Sequence, residues 1–153
     1  MLNALALILH LIAINIWVGG SFFAIVILGR AIRNIEAGQQ HTLWLLVFRR
    51  FFAWAWLAVF ILLASGTWMI YSVYGGFDAI PAYVTLMGLL AALMVANYNF
   101  IYFVPYRQYQ RMVRIGDIDA CVKKLAVIRV VGVINMVLGI CIIVTIGSRA
   151  YLL

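Results

Sequence analysis

The stretch "LNALALILHLIAINIWVGGSFFAIVIL", residues 2–28, contains no Lys, Arg, Asp or Glu. A helix needs about 20 apolar residues to cross the hydrocarbon core of a bilayer. Three similar runs follow, at about residues 51–74, 79–106 and 130–148. Because the runs are continuous and do not alternate with polar residues, they predict helices rather than barrel strands. The sequence therefore predicts an all-α integral membrane protein, a single domain over residues 1–153 folded as an antiparallel four-transmembrane-helix bundle.

The composition agrees with this fold class. Of the 153 residues, 68% are hydrophobic and only 10% are charged. A soluble domain of this length has too much surface for its volume to hide so many apolar side chains. The lipid bilayer is therefore the expected environment and partner.

The net charge of +7 is concentrated in the connections that follow the first and third spans. Their basic residues are Arg30, Arg33, Arg49, Arg50, Arg107, Arg111, Arg114, Lys123, Lys124 and Arg129. The connection "YGGFDAIPAY", residues 74–83, has none. The positive-inside rule then places both basic connections in the cytoplasm and both termini outside, in the periplasm of a bacterium. The charge is a topology signal, and no nucleic-acid partner is expected.

His10 lies inside the first span, roughly 12 Å from its outer end at 1.5 Å per residue. An ionisable side chain at that depth indicates function by default and should face the bundle interior. Helical spacing places Ala13, Trp17 and Gly20 on the same face, where small residues allow a close approach. Two interpretations stay open: a neutral histidine bonded to a hydroxyl group, or a ligand of copper or haem iron. His10, Trp17, Gly19 and Gly20 would line a cofactor site.

A metal ligand needs partners, and three sulfur-containing side chains are predicted near the depth of His10. They are Met69, Met87 and Cys141, one on each of the other spans. Imidazole, thioether and thiol ligands suit Cu(I), whereas a His–Met pair could ligate the iron of haem b. Each sulfur also has a core-packing interpretation. The other histidine, His41, is predicted to be a solvated loop residue.

Further polar residues fall nearer the basic connections. Asn97 and Asn135 predict either hydrogen bonds between helices or a polar path from the outer site towards the cytoplasm. Arg129, at the inner end of that path, is expected to extend to the interface. Six aromatic residues beside Arg49 and Arg50 predict an interfacial belt, formed by Trp44, Phe48, Phe51, Phe52, Trp54 and Trp56.

Sequence motifs of common enzymes are absent. There is no HExxH, CxxC, P-loop or GxSxG motif. No carboxylate lies within a span, so a carboxylate proton relay is not expected. The residues favour a protein that is not an enzyme, without deciding the point.

The segment "LHLIAINIWVGGSFF", residues 9–23, resembles the first helix of the copper resistance D family of bacterial inner-membrane proteins. In that family a histidine near the outer end is followed by Trp and paired Gly at this spacing. The segments "RRFFAWAWLAVFILLASGTWMI" (49–70) and "IRVVGVINMVLGICIIV" (128–144) are similar to its next and closing helices. The resemblance implies a multi-pass inner-membrane protein in copper uptake, transport or resistance, with His10 and Trp17 at matching positions.

The same spacing also resembles the HemJ-type protoporphyrinogen oxidases, which are small haem-containing membrane proteins. This sequence has no lysine between Pro81 and Pro105, where that family carries one, and no Asn-Glu-x-Pro stretch at its end. A b-type haem protein, for electron transfer or oxidation, stays as an alternative. Another is an accessory subunit of a larger membrane complex. Gly19 and Gly20 would also permit a homodimer.

Overall fold

Four long helices make up the computed structural model, which describes the backbone of residues 1–152 and the side chains of residues 1–148. They are α1 (Leu2–Asn34), α2 (Ala37–Tyr74), α3 (Ala82–Ile115) and α4 (Ile118–Leu152). Each is long and apolar enough to cross a membrane. The described backbone contains no strand. The predicted all-α four-helix membrane fold is therefore confirmed.

All four helices continue beyond their apolar spans at one end of the bundle, which we call the basic end. It contains the α1–α2 and α3–α4 connections and most of the Lys and Arg residues. Two residues separate α1 from α2, and α4 starts directly after Asp117, whose carboxylate accepts a hydrogen bond of 2.9 Å from the backbone N–H of Ala120. This bond caps the helix at its first turn. The opposite end, the terminal end, contains the N-terminus and the α2–α3 connection.

Gly75 and Gly76 end α2 at the terminal end. Their φ angles are 79° and 145°, in a region that residues with a Cβ rarely adopt. A single 3-10 turn, Phe77–Ala79, then leads into α3. The connection stays short, so α2 and α3 lie side by side in opposite directions.

Two of the helices contain π-helical turns. In α1 these turns are Asn15–Gly19 and Phe23–Leu28, and in α3 the turn is Tyr102–Tyr106, which contains Pro105. A proline has no N–H for the helical ladder, so α3 adjusts locally at this residue and continues to Ile115. Turns of this kind widen a helix and occur often at functional sites.

Close packing joins α1 to α4. A Cβ added at Gly139 would lie 2.5 Å from Val18 Cγ2, and one added at Gly132 would lie 3.1 Å from Ile25 Cδ1. These contacts are seven residues apart on both helices, so α1 and α4 run antiparallel with a constant register. Lipid tails are as apolar as the helix surfaces, and close packing of small residues therefore supplies much of the association energy.

An aromatic core joins α2 to α3 in the half of the bundle nearer the basic end. Its α2 members, Trp44, Phe48 and Phe52, are at most 6% exposed. The Tyr98 hydroxyl donates a hydrogen bond of 2.9 Å to the carbonyl oxygen of Phe52. The predicted interfacial belt is wrong for these three α2 side chains, because their spacing of four residues places them on the buried face of α2. Trp54, by contrast, is 58% exposed.

The α1–α4 packing predicts that Gly139→Ala is destabilising. The new methyl group would overlap Val18, whose branched side chain has little rotamer freedom. Overpacking of this kind costs about 1–3 kcal/mol, which denaturation in mixed micelles can measure. Gly147→Ala on the same helix is the control, because no atom lies within 4 Å of its added Cβ. Equal stability of the two variants would contradict the packing described here.

Candidate functional site

His10 on α1 is joined to α2 by a hydrogen bond. Its Nδ1 lies 2.8 Å from Oγ of Ser65, a buried residue of α2. The Ser65 hydroxyl donates its single proton to the carbonyl oxygen of Ile61, one turn earlier. From this bond we infer that Ser65 Oγ accepts from His10, so that the imidazole proton of His10 lies on Nδ1. In this tautomer, Nε2 of the neutral ring has a lone pair that a metal ion can accept. The backbone of Leu62 is a further hydrogen-bonding partner of His10.

Small residues allow this contact. A Cβ added at Gly66 would lie 3.4 Å from Cε1 of His10, so the imidazole ring sits directly against the α2 backbone. Ala6 and Ala13, one turn to either side of His10, are both buried. A side chain larger than alanine at these positions would push α1 away from α2 and separate Nδ1 from its acceptor.

A second interhelical bond holds the outer end of the same helix pair. Trp68 Nε1 donates to Oδ1 of Asn3 at 3.0 Å. With the His10–Ser65 bond, it fixes both the rotation and the height of α1 against α2. The ring orientation of His10 is thus set by the surrounding protein.

The three predicted sulfur ligands differ in their placement. Met69 is partly buried and lies one helical turn beyond Ser65, so it is on the same side of α2. Met87, also partly buried, lies seven residues before Met94, whose Cε is 3.3 Å from the added Cβ of Gly139. Because Val18 contacts the same glycine and His10 lies eight residues before it, Met87 is at about the depth of His10.

Cys141 is exposed and lies deeper than His10. The register of α4 against α1 places Val18 opposite Gly139. Continuing this antiparallel register puts Cys141 opposite Ile16, about 9 Å from the height of His10 at 1.5 Å per residue. Among the described residues, no three His, Cys, Asp or Glu side chains come together as a metal site.

Trp17, Gly19 and Gly20 do not surround His10. Trp17 is 3% exposed, lies two turns deeper and packs edge-on against Tyr98 with ring centroids 5.6 Å apart. A Cβ added at Gly20 would lie 2.9 Å from the Phe51 ring, whereas Gly19 is exposed with no atom within 4 Å of such a Cβ. Trp17 is therefore part of the core. Gly19 lies on the exposed side of α1, away from the other helices.

A second polar cluster lies nearer the basic end, beside a cavity of about 50 Å³. Three residues that line this cavity carry a buried polar atom with no hydrogen-bonding partner among residues 1–148: Trp44 Nε1, Arg129 Nε and Asn135 Oδ1. Asn135 also donates from Nδ2 to the carbonyl oxygen of Met94 at 3.0 Å. Asn97 is partly buried and does not line the cavity. The structure thus provides an interhelical bond for Asn135, as one of the two predicted interpretations requires.

Arg129 turns into the bundle. Its Cζ lies 5.2 Å from the centroid of the Trp44 ring, in a cation–π contact. The expectation that this side chain extends to the interface is wrong, because the indole face and the space beside Gly29 accept the guanidinium group. A positive charge therefore lies beside the cavity.

His41 is another correction to the sequence analysis. It lies in the first turns of α2, is 5% exposed, and its Nδ1 is 2.9 Å from the Tyr109 hydroxyl of α3. The predicted solvated loop is wrong, because α2 begins at Ala37, well before its apolar span, and packs His41 against α3. Spacing could have revealed it, since His41 precedes the buried Trp44 by three residues.

Comparison with known proteins gives one family. Residues 45–149, more than half of the chain, match the family model described as Copper resistance protein D. The matched range covers most of α2 and all of α3, and it starts after α1. The match therefore adds no information about His10, whose description rests on the geometry alone. No curated protein matches the chain. No solved structure matches it either.

The His41–Tyr109 contact predicts a stability effect at the basic end. Tyr109→Phe leaves His41 Nδ1 without its partner in a buried place. Such a loss costs about 1–3 kcal/mol of unfolding free energy. Tyr71→Phe is the matched control, since Tyr71 is exposed and its ring meets only Phe77. If both variants unfold at the same denaturant concentration, His41 and Tyr109 do not form the bond described.

Proposed function

Because the chain belongs to the copper resistance protein D family, we propose that this multi-pass inner-membrane protein binds copper in the terminal half of its bundle, in the service of copper uptake or resistance. Copper is here the cargo. His10 is the principal ligand, through Nε2. The observation that carries this proposal is the hydrogen-bond chain from His10 Nδ1 through Ser65 to the Ile61 carbonyl group.

That chain has the form expected behind a metal-bound histidine. A ligating imidazole usually donates its other ring N–H to an oxygen of the protein, which fixes the tautomer and orients the ring. In the inferred tautomer, Ser65 is that acceptor. The apolar surroundings, with no carboxylate in α1, suit a soft monovalent ion such as Cu(I) better than a hard divalent one.

Met69 is the best placed of the sulfur-containing side chains to complete the site. It follows Ser65 by one turn on α2 and is partly buried. A thioether is a soft ligand with three rotatable bonds, so it can move to meet an ion at Nε2. Met87 supports the site from α3 at similar depth. Cys141 would have to cross about 9 Å, so we leave it out of the ligand set.

Charge asymmetry supplies the orientation. The basic end belongs in the cytoplasm by the positive-inside rule, which puts the terminal end and His10 towards the periplasm. Copper would then reach His10 from the periplasmic side. A short distance from the outer surface suits a site that captures an ion arriving from outside.

Binding fits the structure better than free conduction. A cation that moved inward from His10 along the bundle axis would approach the cavity beside Asn135 and then meet the guanidinium group of Arg129. Like charges repel strongly in surroundings of low dielectric constant. Transfer to the cytoplasm would therefore require Arg129 to move. Of the two asparagines predicted to form a polar path, only Asn135 lines the cavity.

The proposal predicts the effect of His10→Ala on copper affinity. Competition between purified protein and a chromophoric Cu(I) chelator should show one high-affinity ion in the wild type and none in His10→Ala. Ser65→Ala should keep the site but weaken it roughly 10- to 100-fold, as removal of an orienting partner does. Wild-type affinity in His10→Ala would contradict the proposal. A Soret band that is lost in His10→Ala would show that His10 ligates haem b and not copper.

Two methionine variants test the thioether ligand. Met69→Leu should weaken Cu(I) binding, because leucine keeps the apolar volume and removes the sulfur atom. Met136→Leu, a partly buried residue of α4 at the level of the inner cavity, is the control and should bind copper like the wild type. Equal affinities would exclude Met69 and leave Met87 to be tested.

A further inference from the structure

A groove of about 290 Å³ opens between α2 and α3 near the basic end. It lies apart from His10, and the Phe52 side chain separates it from the inner cavity, because this ring lines both. The other polar and aromatic residues that line the groove are Arg49, Trp56, Tyr102, Tyr106, Arg107 and Gln110.

The lining changes from charged to aromatic along the membrane normal. On α2, which runs away from the basic end, Arg49 comes first and Trp56 lies about 10 Å deeper. On α3, which runs towards the basic end, Tyr102 is the deeper residue and Arg107 the shallower one. The groove is therefore cationic at the edge nearest the basic end and aromatic deeper in the bundle. A phospholipid beside it has its headgroup and acyl chains in the same order.

Its two arginines have no acidic partner. Neither Arg49 nor Arg107 forms an ion pair with a carboxylate among the described residues. Both are exposed, and Arg107 Cζ lies 5.0 Å from the centroid of the Phe103 ring. A guanidinium group that contacts an aromatic ring can still donate its N–H groups to an anion. Two arginines without an acidic partner at the edge of one groove favour the binding of an anion there.

We propose that this groove binds one anionic phospholipid, with the phosphate between Arg49 and Arg107 and the acyl chains along Trp56 and Tyr102. Basic pockets between transmembrane helices commonly bind acidic headgroups, and Trp and Tyr rings favour the headgroup level. The proposal concerns a lipid because the aromatic floor continues into the membrane. A water-soluble phosphate would contact only the two arginines at the edge nearest the basic end.

Native mass spectrometry of the detergent-purified protein, titrated with phosphatidylglycerol, tests the site. The wild type should retain one phosphatidylglycerol molecule and bind phosphatidylcholine more weakly. The double variant Arg49→Gln/Arg107→Gln should lose roughly 10- to 30-fold in affinity, at about 1 kcal/mol for each basic residue. Arg50→Gln/Arg111→Gln is the control, because it removes the same charge from the same two helices outside the groove.

Three results would overturn the proposal. Equal losses in both double variants would show a diffuse charge effect, and equal binding of the two lipids would show no headgroup recognition. Displacement of the lipid by millimolar inorganic phosphate would show a site for the free ion only. If Arg49→Gln/Arg107→Gln fails to fold, a photoactivatable phosphatidylglycerol on the wild type gives the answer. Its labels should fall on α2 and α3 around Trp56 and Tyr102, and labels elsewhere would also overturn the proposal.

Discussion

The bilayer offers no hydrogen-bonding partner to a polar side chain, and the rest of this structure depends on that constraint. Each polar group within the spans must find its partner in the protein or remain without one. His10 meets Ser65, Asn3 meets Trp68, and Tyr98 meets the Phe52 carbonyl group. These bonds join α1 to α2 and α2 to α3, while small residues let α4 approach α1. The polar atoms left over then mark where the bundle can accept something else.

By this criterion the two halves of the bundle differ. In the terminal half, the inferred tautomer of His10 leaves a lone pair on Nε2. In the other half, three unpartnered polar atoms and the Arg129 charge surround a small cavity. Under the proposed function, a cation would bind at the first place and be repelled from the second by the Arg129 charge. The proposal of copper capture without free passage rests on this asymmetry.

The fold could be predicted from sequence because the four spans are set by composition and length alone. The position of His10 eight residues from the start of α1 followed as well, since the helix begins at Leu2. The α4 partner could not be predicted in the same way. Counting from the membrane surface placed Cys141 level with His10, but the contact of Gly139 with Val18 sets α4 lower. That contact depends on tertiary packing, which no single helix reveals.

The basic end was the least predictable part. His41 was predicted to be a solvated loop residue, whereas α2 starts at Ala37 and buries it. Helices that project past the lipid carry charged residues on one side, so the loss of hydropathy does not mark their ends. The spacing of His41, Trp44 and Phe48 contained the information. This spacing could be recognised as a buried face only once α2 was known to extend back to Ala37.

The tautomer of His10 is the central claim, and nitrogen-15 NMR of histidine-labelled protein tests it most directly. With two histidines, two sets of ring signals are expected, and Tyr109→Phe identifies those of His41. The account predicts that His10 is protonated at Nδ1 in the metal-free protein, and that its unprotonated Nε2 signal shifts when Ag(I) is added as a redox-stable substitute for Cu(I). A His10 ring protonated at Nε2, or one whose signals ignore the metal, would contradict it.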